Sequence, residues 1–429
     1  MMLIAGLWPT SRALPSASES TQLLQPTFHI HTVDDVKDKV EAIATKSHMI
    51  RTQNTIAEKY WGFTANTSEA QGIYQGCDRI VTEDLVNQAE QTYGKRPGLI
   101  LIGAQKAGTS SVNHALEPDN DVFCTAGNQE LHFFDDEVFA ERTIGQSEFE
   151  VYLNMWESRC SVTQVDPPRF EKTPGYLTQP WAALRLCQTL PYSKLALVLR
   201  EPVARAYSSF YQNSESDFVA GGGKINVTRT PEGFHQLAVL DVAISQQCGG
   251  FAPEGDSWDK AYAAENFTTC CEGVAATYDQ FDWPGCSCSM HTDSYYINPS
   301  GTDKKHHICG YYGDQRAMMV RNSVYVKLLR NHYRYHNTDH VLIFPMDAVN
   351  YYLTETTKEM GFFALPPSLT DGRKQRIKDE TRIDGETHAN THDYDPILYK
   401  TQAMLDSYYA PYNEELFSLI GRNLTYVWG

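Results

Sequence analysis

The chain has 429 residues, of which 41% are hydrophobic and 12% aromatic, enough to bury a sizeable core in one large domain or two ordinary ones. A disordered chain would hold fewer apolar residues. The formal net charge of −17 argues against a general nucleic-acid binder, which needs excess Lys and Arg to displace counterions. A nucleotide ligand stays possible, because a few local donors outweigh a distant mean field.

In chain order, Met1-Met-Leu-Ile-Ala-Gly-Leu-Trp8 is a short apolar run without the basic flank of a signal peptide. No segment reaches the ~18–20 apolar residues of a membrane helix, so any membrane attachment is expected through an anchor missing or truncated here. Residues 1–32, rich in Ser, Thr, Pro and Gln, read as a linker or stem. Residues 33–96 read as a helical extension: Asp34 or Asp35 caps a helix to about Tyr60, with apolar residues at Val36, Val40, Ile43 and Ala44.

From residue 97 the pattern changes. Leu99-Ile-Leu-Ile102, Lys194-Leu-Ala-Leu-Val-Leu199 and His340-Val-Leu-Ile-Phe344 are short unbroken apolar runs, the signature of strands buried inside a parallel sheet. Helical patterns lie between them, as at Val203–Tyr211 and Val320–Tyr335. Strands alternating with helices predict an α/β fold, a central mostly parallel sheet flanked by helices, over 97–429. Residues from about 212 to 309 interrupt it and read as a Cys-rich insertion. At the C-terminus Leu398, Leu405, Tyr409, Tyr412, Leu416 and Ile420 recur at helical spacing, and Pro411 is expected to kink or divide that helix.

Six of the ten cysteines (Cys248, Cys270, Cys271, Cys286, Cys288 and Cys309) crowd into the insertion. Such an even, dense set in a loop-like stretch points to disulfides formed in an oxidising compartment. Zinc is the alternative, with Cys286, Cys288, His306, His307 and Cys309 as ligands, although paired CxxC knuckles are absent. Four sequons, at Asn66, Asn226, Asn266 and Asn423, join the cysteines in favouring the secretory lumen.

The most chemical segment is the turn Gly103-Ala-Gln-Lys-Ala-Gly-Thr-Ser-Ser111 between a strand and a helix. A Gly-containing turn at a helix N-terminus aims unpaired backbone N–H groups at one point, with the helix dipole behind them, and so makes an anion site. Lys106 adds a mobile charge, and Thr109, Ser110 and Ser111 add hydroxyls. It is not a Walker A loop, because Lys106 precedes Gly108 instead of following it. A plain strand-to-helix turn with a solvated lysine is the alternative.

Three further segments follow in order: Glu130-Leu-His-Phe-Phe-Asp135, Glu171-Lys-Thr-Pro-Gly-Tyr176, and the run from Lys194 through Arg200 and Ser208 to Tyr211. With the K-x-G-T-S turn they resemble the Golgi carbohydrate sulfotransferases that use 3′-phosphoadenosine-5′-phosphosulfate (PAPS). The likeness is to the heparan sulfate enzymes and the chondroitin N-acetylgalactosamine-4-sulfate 6-O-sulfotransferase, strong over 97–211 and loose over 310–429. Tyr408-Tyr-Ala-Pro-Tyr-Asn-Glu-Glu-Leu416 resembles the last helices of the chondroitin enzyme.

The resemblance implies a P-loop-like sulfotransferase fold, PAPS as donor, no metal, a glycan acceptor and residence in the Golgi lumen or secretory pathway. It implies that Lys106, Ala107, Gly108, Thr109 and Ser110 hold the 5′-phosphosulfate, and that Arg200 and Ser208 hold the 3′-phosphate. An arginine at a strand end suits this, since its fork gives two donors to one phosphate; a salt bridge from Arg200 to Glu201 is the alternative. Glu130 matches the family's general base, which takes the proton of a poorly nucleophilic sugar hydroxyl. Lys172 matches a lysine that stabilises the leaving phosphate together with Lys106. His132 is the rival base, with a structural histidine packed on Phe133 or Phe134 as its plainer reading. Phe133, Phe134 and Tyr176 read as core or cleft wall.

The chain departs from the heparan sulfate enzymes near its C-terminus. Their Lys-Gly-Arg loop has no counterpart in Thr387-His-Ala-Asn-Thr-His392, which leaves Lys374, Arg376, Lys378 or Arg382 as substitutes. Two other readings compete: a P-loop-type kinase or NTPase, which predicts magnesium dependence, and a silent glycan-binding protein, which predicts a lost base or lysine. For the acceptor, a sulfated polysaccharide calls for a basic groove, with Arg373–Arg382 as its source, while a neutral glycan or small alcohol stays open.

Overall fold

The fold is that of a computed structural model, which describes residues 62–77, 83–84, 86–88, 96–116, 124–125, 130–135, 146–157, 169–179, 181–191, 193–212, 227–248, 264–278, 286, 288–292, 305–309, 319–351, 359–360 and 395–428. The expected helix from Asp34, the stem, and the basic candidates between Lys374 and His392 lie outside the described residues.

Helix α1 (Ser68–Ile73) is capped by Thr67, whose Oγ1 accepts the Ala70 amide at 3.0 Å. Strand β1 (Pro97–Gly103) follows, then α2 (Thr109–Leu116), β2 (Cys124–Thr125), α3 (Gln146–Glu157), β3 (Arg169–Lys172), α4 (Ala182–Thr189), β4 (Lys194–Leu199) and α5 (Pro202–Gln212). Next come α6 (Pro231–Cys248), α7 (Ala264–Ala276), the strands β5 (Cys288–Thr292) and β6 (Lys305–Cys309), and α8 (Tyr325–Tyr335). The chain finishes with β7 (Val341–Pro345), α9 (Met346–Tyr351), α10 (Tyr399–Ile420) and α11 (Thr425–Trp428).

The main sheet runs β2-β3-β1-β4-β7, and every neighbouring pair is parallel. Leu99, Ile100, Leu101 and Ile102 of β1 are all buried, which is why consecutive positions had to be apolar. Each such side chain contributes about 1.5–3 kcal/mol by leaving water. The order also sets where a ligand fits. From β1 the chain moves outward to β2, whereas from β4 it continues to β7 on the other side. The crevice beyond the carboxyl ends of β1 and β4 is therefore a topological switch point, where open α/β sheets bind ligands.

Three sequence expectations change. The pattern over 320–335 is not one helix: a 3-10 turn, Arg321–Ser323, precedes α8. The cause is Asp241 of α6, whose Oδ2 accepts the amides of Val320 and Arg321 at 3.1 and 3.2 Å and fixes the chain there. Pro411 does not divide α10, which runs unbroken through it. Packing on both sides of the proline outweighs the lost hydrogen bond: Leu405, Tyr408, Tyr409 and Leu416 are buried, and Tyr409 donates its hydroxyl to the Val320 carbonyl at 2.8 Å. Within the stretch 212–309, α6 is a core helix, with Phe234, Leu237, Leu240 and Ile244 each at most 2% exposed.

The described cysteines form disulfides. Cys248–Cys270 and Cys271–Cys286 tie α6, α7 and the chain before β5 together, and Cys77–Cys187 closes a separation of 110 residues onto α4. Closing a loop that long is worth about 4–5 kcal/mol in the chain-entropy picture. The zinc alternative is overturned at Cys286, whose sulfur is bonded to that of Cys271. Among the described residues no helix is long and apolar enough to cross a membrane.

Candidate active site

Two clusters of chemistry meet the carboxyl edge of the sheet. The first is the turn after β1. Ala104 donates its amide to the Val198 carbonyl of β4 at 2.8 Å, and Ala107 folds back onto the Ala104 carbonyl at 3.1 Å. Gly108 then sits at φ +89°, which only glycine adopts without strain, and α2 starts from it. Ser111 and Val112 are the residues whose amides reach back to the Gly108 carbonyl, so the N–H groups just before them face out of the helix end. Ala107 and Thr109 are buried, while Lys106 and Ser110 are half-buried.

Arg200 reaches this turn from the end of β4 and donates Nη1 to the Lys106 carbonyl at 3.1 Å. Glu201, offered as its salt-bridge partner, caps α5 and accepts the amides of Val203 and Ala204 at 2.8 and 2.5 Å. Arg205 is fully buried one turn into α5. It donates to the Gln105 carbonyl at 2.9 Å and to the Met319 carbonyl at 3.0 Å. Burial, then the charges of Arg200 and Arg205, lower the pKa of Lys106. Three cations around one turn, with helix amides beside them, make a site that favours an anion. Ser208 is buried further along α5.

The second cluster joins residues 130–135 to β3. Glu130 Oε1 lies 2.9 Å from Lys172 Nζ, and Glu130 Oε2 lies 3.3 Å from His132 Nε2. His132 Nδ1 lies 2.9 Å from Asp135 Oδ2. Hydrogen bonds to Asp135 and Glu130 outweigh burial and raise the His132 pKa to about 10, so both ring nitrogens donate at neutral pH. Burial opposes ionisation of Glu130, but His132 and Lys172 more than offset it, and its pKa is lowered. Glu130 is thus an ionised carboxylate held between two cations, with His132 half-exposed beside it. A side chain at Gly175 would bring a Cβ within 2.1 Å of Asp135 Oδ2, so this pair needs glycine against it.

Among the described residues only Lys106 and His132 are non-glycines at positive φ, +69° and +51°. Left-handed backbone at such residues costs free energy and collects at functional sites.

No protein-family model matches the chain. Over 118 residues it is 28% identical to the bifunctional heparan sulfate N-deacetylase/N-sulfotransferase 1 of Caenorhabditis briggsae, covering 27% of this chain and 12% of that protein. Over 163 residues it is 26% identical to heparan sulfate glucosamine 3-O-sulfotransferase 5 of Mus musculus, covering 38% of this chain and 40% of that one. Over 115 residues it is 29% identical to the membrane-associated sulfotransferase kil1 of Dictyostelium discoideum, covering 27% and 22%. The chain is related to sulfotransferases.

The matches span less than half the length of each of these relatives. A sulfotransferase from Alicyclobacillus acidocaldarius aligns over 78% of this chain and 98% of its own at TM-score 0.42 and 16% identity, a likeness too remote to bear on the chemistry.

Of the residues expected in a sulfotransferase site, the structure brings Lys106, Ala107, Gly108, Thr109, Ser110 and Arg200 to one turn. It brings His132 and Lys172 each into contact with Glu130. Phe133, Phe134 and Tyr176 are core, all at most 1% exposed; the two phenylalanines pack tilted on Tyr152, and Tyr176 meets Phe134 edge-on. Asp135 and Arg205 were not expected. Asp135 was visible only as the last residue of the hexapeptide, and Arg205 only as one more charge in the run from Lys194 to Tyr211.

Proposed function

We propose that this protein transfers a sulfuryl group from PAPS to a hydroxyl of a glycan of the glycosaminoglycan kind. The observation that carries the reading is Glu130, an ionised carboxylate held 2.9 Å from Lys172 and 3.3 Å from His132 at the sheet edge that also carries the cationic turn. Its relatives' names, all of them sulfotransferases, supply the reaction class.

The residues fit the donor. The turn amides, Lys106, Thr109 and Ser110 would take the 5′-phosphosulfate, and Arg200 with Ser208 the 3′-phosphate, with Arg205 adding buried positive charge. In the reaction the acceptor oxygen forms a bond to sulfur as the bond from sulfur to the phosphate oxygen breaks in line. The acceptor's proton passes to Glu130 and then to water, and adenosine 3′,5′-bisphosphate leaves with the electron pair. Lys106 and Lys172 neutralise charge on the departing oxygen. His132, protonated at neutral pH, serves as a hydrogen-bond donor that orients Glu130, and this supports Glu130 over His132 as the base.

Purified protein incubated with ³⁵S-labelled PAPS and a panel of desulfated and partly sulfated glycans should label at least one acceptor without added metal. Labelling from γ-³²P-ATP with magnesium instead, and none from PAPS, would establish the kinase reading in its place.

We place the protein in the secretory pathway on its disulfides and on Asn66 and Asn423, both exposed sequon asparagines. Expression in a secretory host should give a product whose mass falls on endoglycosidase treatment. An unshifted mass would count against that location.

A further inference from the structure

We infer that Glu171, which no part of the reaction uses, is the positioning residue that holds the 130–135 segment in its working conformation. This deepens the proposed function and rests on it for the role of Glu130, although the clamp itself is a matter of hydrogen bonds.

Glu171 is 0% exposed, and an isolated buried carboxylate is costly unless hydrogen bonds satisfy it. Three hydroxyls do so. Tyr152 donates to Oε2, Tyr176 donates to Oε1 at 2.5 Å, and Thr173 donates to Oε1 at 3.0 Å. Burial raises the Glu171 pKa and these bonds lower it, with a balance at about 7.

Above that value the carboxylate is ionised and only accepts, so it dictates which way each hydroxyl points. With their protons on Glu171, the Thr173 and Tyr176 oxygens offer lone pairs in the other direction, toward residues 131–134. Thr173 Oγ1 accepts the Leu131 amide at 3.1 Å, and Tyr176 Oη accepts the amides of Phe133 and Phe134 at 3.2 and 3.4 Å. Arg185 holds the same segment from its carbonyl side, donating to Phe134 O at 2.9 Å.

The segment needs such a clamp. It belongs to no helix or strand, and its His132 sits at φ +51°. Because successive side chains of a strand face opposite ways, Lys172 points to the Glu130 carboxylate while Glu171 points into the core behind the segment. One strand thus fixes Glu130 twice, directly through Lys172 and through two hydroxyl relays from Glu171.

Glu171→Leu tests this, since it removes the Oε1 acceptor that both relays share; Tyr176→Phe and Thr173→Val each delete one relay and guard against a fold lost with Glu171. The readouts are amide hydrogen exchange over 130–135, the His132 titration by NMR, and kcat with donor-product affinity. Each variant should speed exchange in this segment and move the His132 titration down from about 10 toward 6.5. Turnover should fall about 10–100-fold, with adenosine 3′,5′-bisphosphate binding changed less than about 3-fold, the pattern of a displaced catalytic group. Unchanged exchange and unchanged His132 titration in variants that keep the wild-type unfolding midpoint would overturn the clamp. Exchange and titration need no turnover, so a failed sulfuryl assay would count against the proposed function and not against Glu171.

Discussion

Glu130→Gln is expected to lower sulfuryl transfer by about 10²–10⁴-fold, the usual contribution of a positioned general base. The substitution keeps the side chain's size but removes the charge that Lys172 and His132 share. Donor binding should persist, because the cations around the turn, Lys106, Arg200 and Arg205, are untouched. Equilibrium binding of adenosine 3′,5′-bisphosphate measured beside turnover separates the two effects, and undiminished turnover would refute the base assignment. The pH profile gives a second check. A histidine base would lose activity as pH fell through its ordinary 6.5, but His132 stays protonated up to about 10. The limb that belongs to His132 is therefore an alkaline one. Its charge pairing stabilises the fold below pH 6.5 and loses that effect as pH rises through about 10.

Arg321→Met is expected to be the most damaging single change to stability, at about 3–5 kcal/mol, the cost of stripping one partner from a buried ion pair. Asp241 and Arg321 are both 1% exposed at the side chain and meet at 2.6 Å. Without the guanidinium, Asp241 keeps its two amide donors but sits as an uncompensated charge in a site whose burial already raises its pKa. Thermal unfolding should shift by on the order of 10 °C. A shift under 1–2 °C would show that solvent or another cation reaches Asp241. The loss should be felt at the turn as well: Met319, next to the clamped amides, receives Arg205, and Arg205 holds the Gln105 carbonyl. The core helix α6 is thus joined by hydrogen bonds to the cationic turn.

Much of the fold could be read in the chain itself. β1, β4 and β7 announce themselves as unbroken apolar runs because a strand buried on both faces has no polar side. The turn after β1 was equally readable, since glycine at a helix start carries a backbone requirement that other residues cannot meet. Strand order was not readable, because periodicity records burial and says nothing of neighbours. The split at 321–323 was hidden for a related reason: its cause, Asp241, lies 80 residues away. Pro411 misled because propensity is local while the packing that overrides it is not. The candidate site divides the same way. Glu130, His132 and Lys172 were found through a resemblance, whereas Asp135, Arg205 and Glu171 act through other residues, and that leaves no mark in spacing.

Lys106 and His132 hold the left-handed backbone angles described above, and this bears on attempts to improve the protein. A screen for thermal robustness rewards relief of backbone strain, so it would select glycine or asparagine at these two positions early. Each such gain would take a cation away from the edge of the sheet where the anion and the hydroxyl are expected to meet. Engineering this chain for durability therefore means excluding two of its most tempting positions from the library.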